Sequence, residues 1–213
     1  MRRGVMVAFL MALVAPGAHA GEIRLSQAVP QPLPAMHIIG AALAPAGFED
    51  FCRRDPRDCQ TDGRAAERVQ LNARLWRELL EVNSLVNATV IPQSDLETYG
   101  VVDYWTLAGT RGDCEDYALT KQHMLRERGW PASALLVSVV RDEHGEGHAV
   151  LTARTSAGDL ILDNRQNAIV AWSELPYTFV KRQATFNPKV WMALEPGLAR
   201  QPDKEVATAR PRD

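Results

Sequence analysis

The chain has 213 residues, 46% of them hydrophobic and 23% charged, with a formal net charge of −2. That composition excludes disordered, collagen-like and coiled-coil chains and suits one domain with a substantial core. The slight acidity argues against a general nucleic-acid binder, which needs clustered Lys and Arg, and no apolar run reaches the roughly 18 residues of a membrane span.

Arg2 and Arg3 precede an apolar run over residues 5–15, followed by Pro16, Gly17 and the small-residue pattern Ala18-His19-Ala20. A basic start, a short apolar stretch and an A-x-A site predict a secretory signal peptide over residues 1–20. The run is too short to cross a bilayer core of about 30 Å. Cleavage after Ala20 removes two arginines and no acids, which leaves a mature net charge of −4.

Export makes the cysteines informative, because two of the three, Cys52, Cys59 and Cys114, are expected to pair in an oxidising compartment. Cys52 and Cys59 lie in a polar stretch whose Pro56 favours a turn that would bring them together. Cys114 is then the odd thiol. A disulfide between Cys114 and either of the others is the competing arrangement.

Residues 21–50 are rich in Pro and Ala without clear periodicity and read as an extended arm leading into a domain over residues 51–195. Val69, Leu75, Trp76, Leu79, Val82 and Val86 fall near helical spacing, so a helix is predicted over 64–86 with Asp62-Gly63 as its start. Residues 87–112 read as loop. A second helix is predicted over 114–128, ended by Gly129 and Pro131.

The second half changes character. Residues 134–141, 148–154 and 159–163 are runs rich in β-branched residues separated by Gly-containing turns, the signal for antiparallel hairpins. Shorter strands are predicted over 168–172 and 178–180, and residues 196–213 read as a solvated tail. The expected class is α+β, with helices first and an antiparallel sheet after them.

Within that layout three residues combine. Cys114 opens a helix, where backbone N–H groups and the positive dipole end favour thiolate. His148 opens a strand and can take the thiol proton, then protonate a leaving amine. Asp163 closes the next strand and can hold the imidazole by its other nitrogen. If those strands pair about the turn between them, the His and Asp ends lie side by side. His144 is the rival base.

The strings VNSLVN (82–87), YGVVDYW (99–105), GDCEDYALTK (112–121), HAVLTA (148–153) and LILDN (160–164) resemble the bacterial transglutaminase-like cysteine peptidases. The resemblance implies a papain-like/transglutaminase-like core with Cys114 as nucleophile, His148 as base and Asp163 as orienter. It places Asn83, Asn87 and Trp105 in family-like strings, as candidates for site walls. It implies a periplasmic endopeptidase that releases a large surface adhesin, with an inner-membrane cyclic-di-GMP receptor as regulatory partner.

The resemblance also implies calcium, with Asp113 and Glu115 as ligands. Carboxylates suit this hard cation, but two side chains are too few for the 6–8 oxygens it takes, and Asp116 is a further donor at hand. One acid about 6 Å from the thiol costs its ionisation roughly 3 kcal/mol at an effective dielectric of ~20. A bound cation would offset that repulsion. Competing readings are a transglutaminase or deamidase on the same three residues, and a non-catalytic calcium-dependent binding module.

Overall fold

The computed structural model describes residues 35–64 and 68–195. The predicted signal peptide and the predicted tail both lie outside these residues. In chain order the elements are β1 (Ile38–Ala42), α1 (Ala46–Arg54), α2 (Ala73–Thr89), β2 (Ile91–Pro92), α3 (Asp95–Tyr99), β3 (Arg111–Gly112) and α4 (Cys114–Glu127). They are followed by β4 (Leu135–Arg141), β5 (Gly147–Thr155), β6 (Gly158–Asp163), β7 (Gln166–Ala171), β8 (Thr178–Gln183) and β9 (Trp191–Leu194). The fold is α+β, as expected.

Seven strands form one antiparallel sheet in the order β1-β9-β8-β4-β5-β6-β7. Strand alternation gives the sheet two buried faces. Leu135, Val137, Leu151, Ala153, Leu160 and Leu162 pack against α1, α2 and α4 in the main core. Val140, Val150 and Ile161 form a smaller cluster with Met36, Tyr177, Phe179 and Leu194.

Helix α4 is pinned to the sheet by hydrogen bonds as well as by burial. Gln122 Nε2 donates to the Leu135 carbonyl at 2.7 Å and to Gln183 Oε1 at 2.8 Å. At the other end, Tyr117 Oη donates to the Val90 carbonyl at 2.6 Å. Each satisfies a buried polar group, so a slide or tilt of the helix would leave donors unpaired. The position of residue 114 is thereby set.

Three expectations need correction. The supposed arm of residues 21–50 contains β1 and most of α1, so a domain boundary at residue 51 falls inside a helix whose Phe48 and Phe51 are fully buried. β1 pairs with β9, far along the chain, and no local signal announces such a partner. The helix predicted from residue 64 begins at Ala73, because the Asn72 side chain accepts from the N–H groups of Arg74 and Leu75 and makes the cap. Asp62 instead accepts from Arg64 and Ala132.

The segment 87–112 is also not all loop. Ser94 and Glu97 form a capping box that starts α3, and Gly100 ends it at φ 74 in the left-handed region. Cys52 and Cys59 are joined in a disulfide at the foot of α1, and Cys114 is the free cysteine.

Candidate active site

Residues 148 and 163 meet at one end of the sheet. Strands β5 and β6 pair in the register Leu151–Leu162 and Thr155–Gly158, which carries the start of β5 to the end of β6. His148 Nε2 lies 2.9 Å from Asp163 Oδ1, with both side chains essentially excluded from solvent. The same oxygen accepts the Arg165 N–H at 3.0 Å, and Asp163 Oδ2 accepts Tyr177 Oη at 2.8 Å. Burial pushes the Asp163 carboxyl up, but these three donors outweigh it and hold it below the usual carboxylate range.

Cys114 stands at the first position of α4 and is half-buried. It shares two adjoining depressions with His148. The smaller, about 220 Å³, is walled by Pro45, Trp105, Val139 and Ala149, with Asp103 and Lys181 at its charged points. The larger, about 580 Å³, is polar and includes Gln93, Ser94, Glu97, Glu146, Asn164 and Arg165. With Nε2 committed to Asp163, the imidazole has Nδ1 left for the thiol side.

Below the thiol sits a nest of acids. Asp95, Asp113 and Asp116 offer one carboxylate oxygen each within 4.8 Å of one another. Each spends its other oxygen on a backbone N–H: Asp95 Oδ2 on Tyr104, Asp113 Oδ2 on Asp95 and Asp116 Oδ1 on Thr106. Asp95 Oδ1, Asp113 Oδ1 and Asp116 Oδ2 are buried and have no hydrogen-bond partner. Gly112 permits this packing, since a Cβ there would lie 2.7 Å from Asp116 Oδ2.

Burial raises the carboxyls of Asp95 and Asp113, with repulsion from Asp103 on both and from Asp113 on Asp95 adding to it, and pushes Asp116 up to about 7. Orphaned, converging carboxylate oxygens form a donor set that fits a hard divalent ion. Glu115, expected as a ligand, borders this nest: its carboxyl meets that of Asp113, and its Oε2 accepts from Cys114 Sγ at 3.1 Å. Burial first and the Asp113 charge second push Glu115 up to about 8.

Burial, with the neighbouring acids adding to it, overrides the helix terminus. Desolvation pushes the Cys114 thiol well up, Glu115 adds to it by charge and hydrogen bond, and the Ala149 N–H opposes them. A second buried charge lies two turns along the helix. Lys121 is fully buried, its Nζ has no hydrogen-bond partner, and desolvation pulls its pKa down to about 7 against the attraction of Asp163.

Of the other residues singled out in the sequence, Trp105 reaches the site wall while also packing edge-on against Phe48 and Trp191. Asn83 does not: it is buried in α2 and donates to the carbonyls of Gln166 and Asn167. Asn87, one turn on, donates to the Asp163 carbonyl at 2.9 Å, so the pair ties α2 to the turn behind the carboxylate. His144 is exposed on the β4–β5 turn beside Glu143. Asp95, Arg165 and Tyr177 went unread, because none belongs to a periodic pattern and their partners are distant in sequence.

A free thiol at a helix start, beside a buried His–Asp pair at a sheet end, is the arrangement of a cysteine hydrolase with a papain-like or transglutaminase-like core. The signature of the bacterial transglutaminase-like cysteine proteinases (BTLCP) matches residues 38–198, and the chain belongs to this family. It is a cysteine peptidase. Among solved structures, calcium-bound LapG of Legionella pneumophila is 27% identical, covering 59% of this chain and 74% of that one with a TM-score of 0.47. The EGTA-treated form of the same protein is 24% identical, covering 58% and 72%, also with a TM-score of 0.47. No curated protein matches the chain.

Proposed function

We propose that the protein is an exported cysteine endopeptidase that uses Cys114 as nucleophile, His148 as general base and acid, and Asp163 as orienter. The observation that carries this is the His148 Nε2–Asp163 Oδ1 pair at 2.9 Å, in a cleft shared with the free thiol of Cys114. His148 Nδ1 takes the Sγ proton, and the thiolate attacks the scissile carbonyl carbon to form a C–S bond. The imidazolium then protonates the leaving nitrogen as the C–N bond breaks, leaving a thioester. A water gives its proton to His148 and adds to the thioester carbon. The C–S bond breaks, the acid product leaves, and the proton returns to sulfur.

On this reading the oxyanion is met by a backbone donor at the helix start. The Cys114 N–H lies in the first turn of α4, where backbone donors have no partner within the helix.

Asp95, Asp113 and Asp116 would hold calcium, with Glu115 next to them. When bound, the cation supplies positive charge that offsets the carboxylates opposing thiolate formation. In its absence Glu115 holds the thiol, and the nucleophile stays protonated. The natural substrate on this reading is a large surface adhesin, with an inner-membrane cyclic-di-GMP receptor as regulator. Both follow from the family resemblance and from the predicted signal peptide.

The test is alkylation of the mature protein by a peptide electrophile, with sites mapped by mass spectrometry. Rapid labelling at Cys114 that needs both calcium and His148 supports the reading. Equally slow labelling of wild type and His148→Ala, with calcium and with chelator, removes it.

A further inference from the structure

Between β7 and β8 the chain must return from one edge of the sheet past β6, β5 and β4, because β8 pairs on the far side of β4. This return segment carries a short helical turn at Trp172–Glu174 and then Tyr177. Tyr177 immediately precedes Thr178, which pairs with Arg141, while the neighbouring Val140 pairs with His148. The crossover therefore delivers the Tyr177 ring to the strand ends that hold His148 and Asp163.

Two contacts with the His–Asp pair result, and the Arg165 side chain also meets the hydroxyl. Tyr177 Oη donates to Asp163 Oδ2 at 2.8 Å, the oxygen that does not face His148. The ring stands edge-on to the His148 imidazole, with centroids 5.7 Å apart and planes at 80°. The rest of the ring is seated among Val140, Val150, Ile161 and Phe179. The phenol keeps its proton across the working range, since burial and the Asp163 carboxylate both push its pKa up.

Resting on the catalytic reading above, we propose that Tyr177 is a positioning residue for that reaction: its hydroxyl fixes the rotation of Asp163 and its ring fixes the plane of His148. Without the hydroxyl, Asp163 Oδ2 is a fully buried anionic oxygen with no donor, and only the Oδ1 side holds the carboxylate. The imidazole then loses its defined direction toward the thiol, and small misplacements of a base are expensive in rate. No substrate contact is required of Tyr177, so its loss is felt in the chemical step and not in binding.

The experiment uses the mature full chain in saturating calcium with an epoxysuccinyl dipeptide, following modification of Cys114 by mass spectrometry. Tyr177→Phe is expected to lower the maximal inactivation rate roughly tenfold to a hundredfold while the concentration for half-saturation stays at the wild-type value. Phe179→Leu trims the same cluster without touching Asp163; it controls for lost stability and is expected to keep the wild-type maximal rate. A folded Tyr177→Phe protein with the wild-type maximal rate overturns the proposal, as does a loss confined to half-saturation. Failure of the wild type to react at Cys114, or equal reaction in His148→Ala, instead overturns the catalytic reading itself.

Discussion

Cys114 turns its thiol to its chain neighbour: Sγ donates a hydrogen bond to Glu115 Oε2 at 3.1 Å, while His148 faces Asp163. Both side chains leave the first turn of α4 toward the smaller depression, where Glu115 also meets the Asp113 carboxyl.

Removing that acceptor should free the thiol. Burial and then Glu115 hold the Cys114 thiol up, and Glu115 is ionised above about 8, where it opposes thiolate most. In chelator, Glu115→Gln is expected to move the pH midpoint of iodoacetamide reaction at Cys114 downward by about one unit. An unmoved midpoint would show that burial alone sets it.

The acid nest makes a prediction about stability. Burial pushes Asp116 up to about 7 from the 3.8 of a solvated carboxyl, and Asp95 and Asp113 are raised in the same direction. The folded state therefore binds more protons than the unfolded chain between these values, so cation-free stability falls as pH rises through this window. The slope is on the order of 1.4 kcal/mol per pH unit for each such proton. Melting curves in EGTA from pH 4 to 8 should decline, and millimolar calcium should flatten them. Asp95→Asn should weaken the calcium-dependent rise, and Gly112→Ala, which drives a Cβ into Asp116, should do the same.

Lys121 gives the opposite sign. Its pKa falls from 10.5 to about 7 on burial, so the unfolded chain binds the extra proton between those values and stability rises with pH across them. Lys121→Met removes a buried ammonium that has no hydrogen-bond partner and only the Tyr117 ring at 5.8 Å, and should stabilise the fold by a few kcal/mol at pH 7. The gain should shrink toward pH 10. Chemical denaturation of both proteins at the two pH values measures it.

The Cys52–Cys59 bridge closes a short loop with a sequence separation of 7. Loop-closure entropy for such a loop predicts a loss of about 2 to 3 kcal/mol in Cys52→Ala/Cys59→Ala. Because the bridge lies at the foot of α1 and not in the cleft, calcium-dependent labelling of Cys114 should survive in the folded fraction.

Much of this was readable from the chain. Helix α4 carries its own stop in Gly129 and Pro131, whereas the Asp113 side chain at its start bonds the Asp95 N–H and makes no cap. The β5–β6 hairpin follows from β-branched runs about a short turn, and pairing those runs is enough to bring His148 to Asp163. These are local properties: propensity, capping and turn chemistry act over a few residues, so a one-dimensional string contains them.

Other features were decided only in three dimensions. Strand β1 exists because β9 offers it an edge, not because IIGAA demands a strand. Asp95 joins Asp113 and Asp116 because the short parallel pairing of β2 with β3 folds the segment back over α4. Asn83 left the predicted site wall because the helix face it occupies packs on the β6–β7 turn. Tyr177 reaches Asp163 through a crossover whose path depends on the strand order. Burial, desolvation and partner choice arise from contacts between distant segments, so they come into being only when the sheet closes.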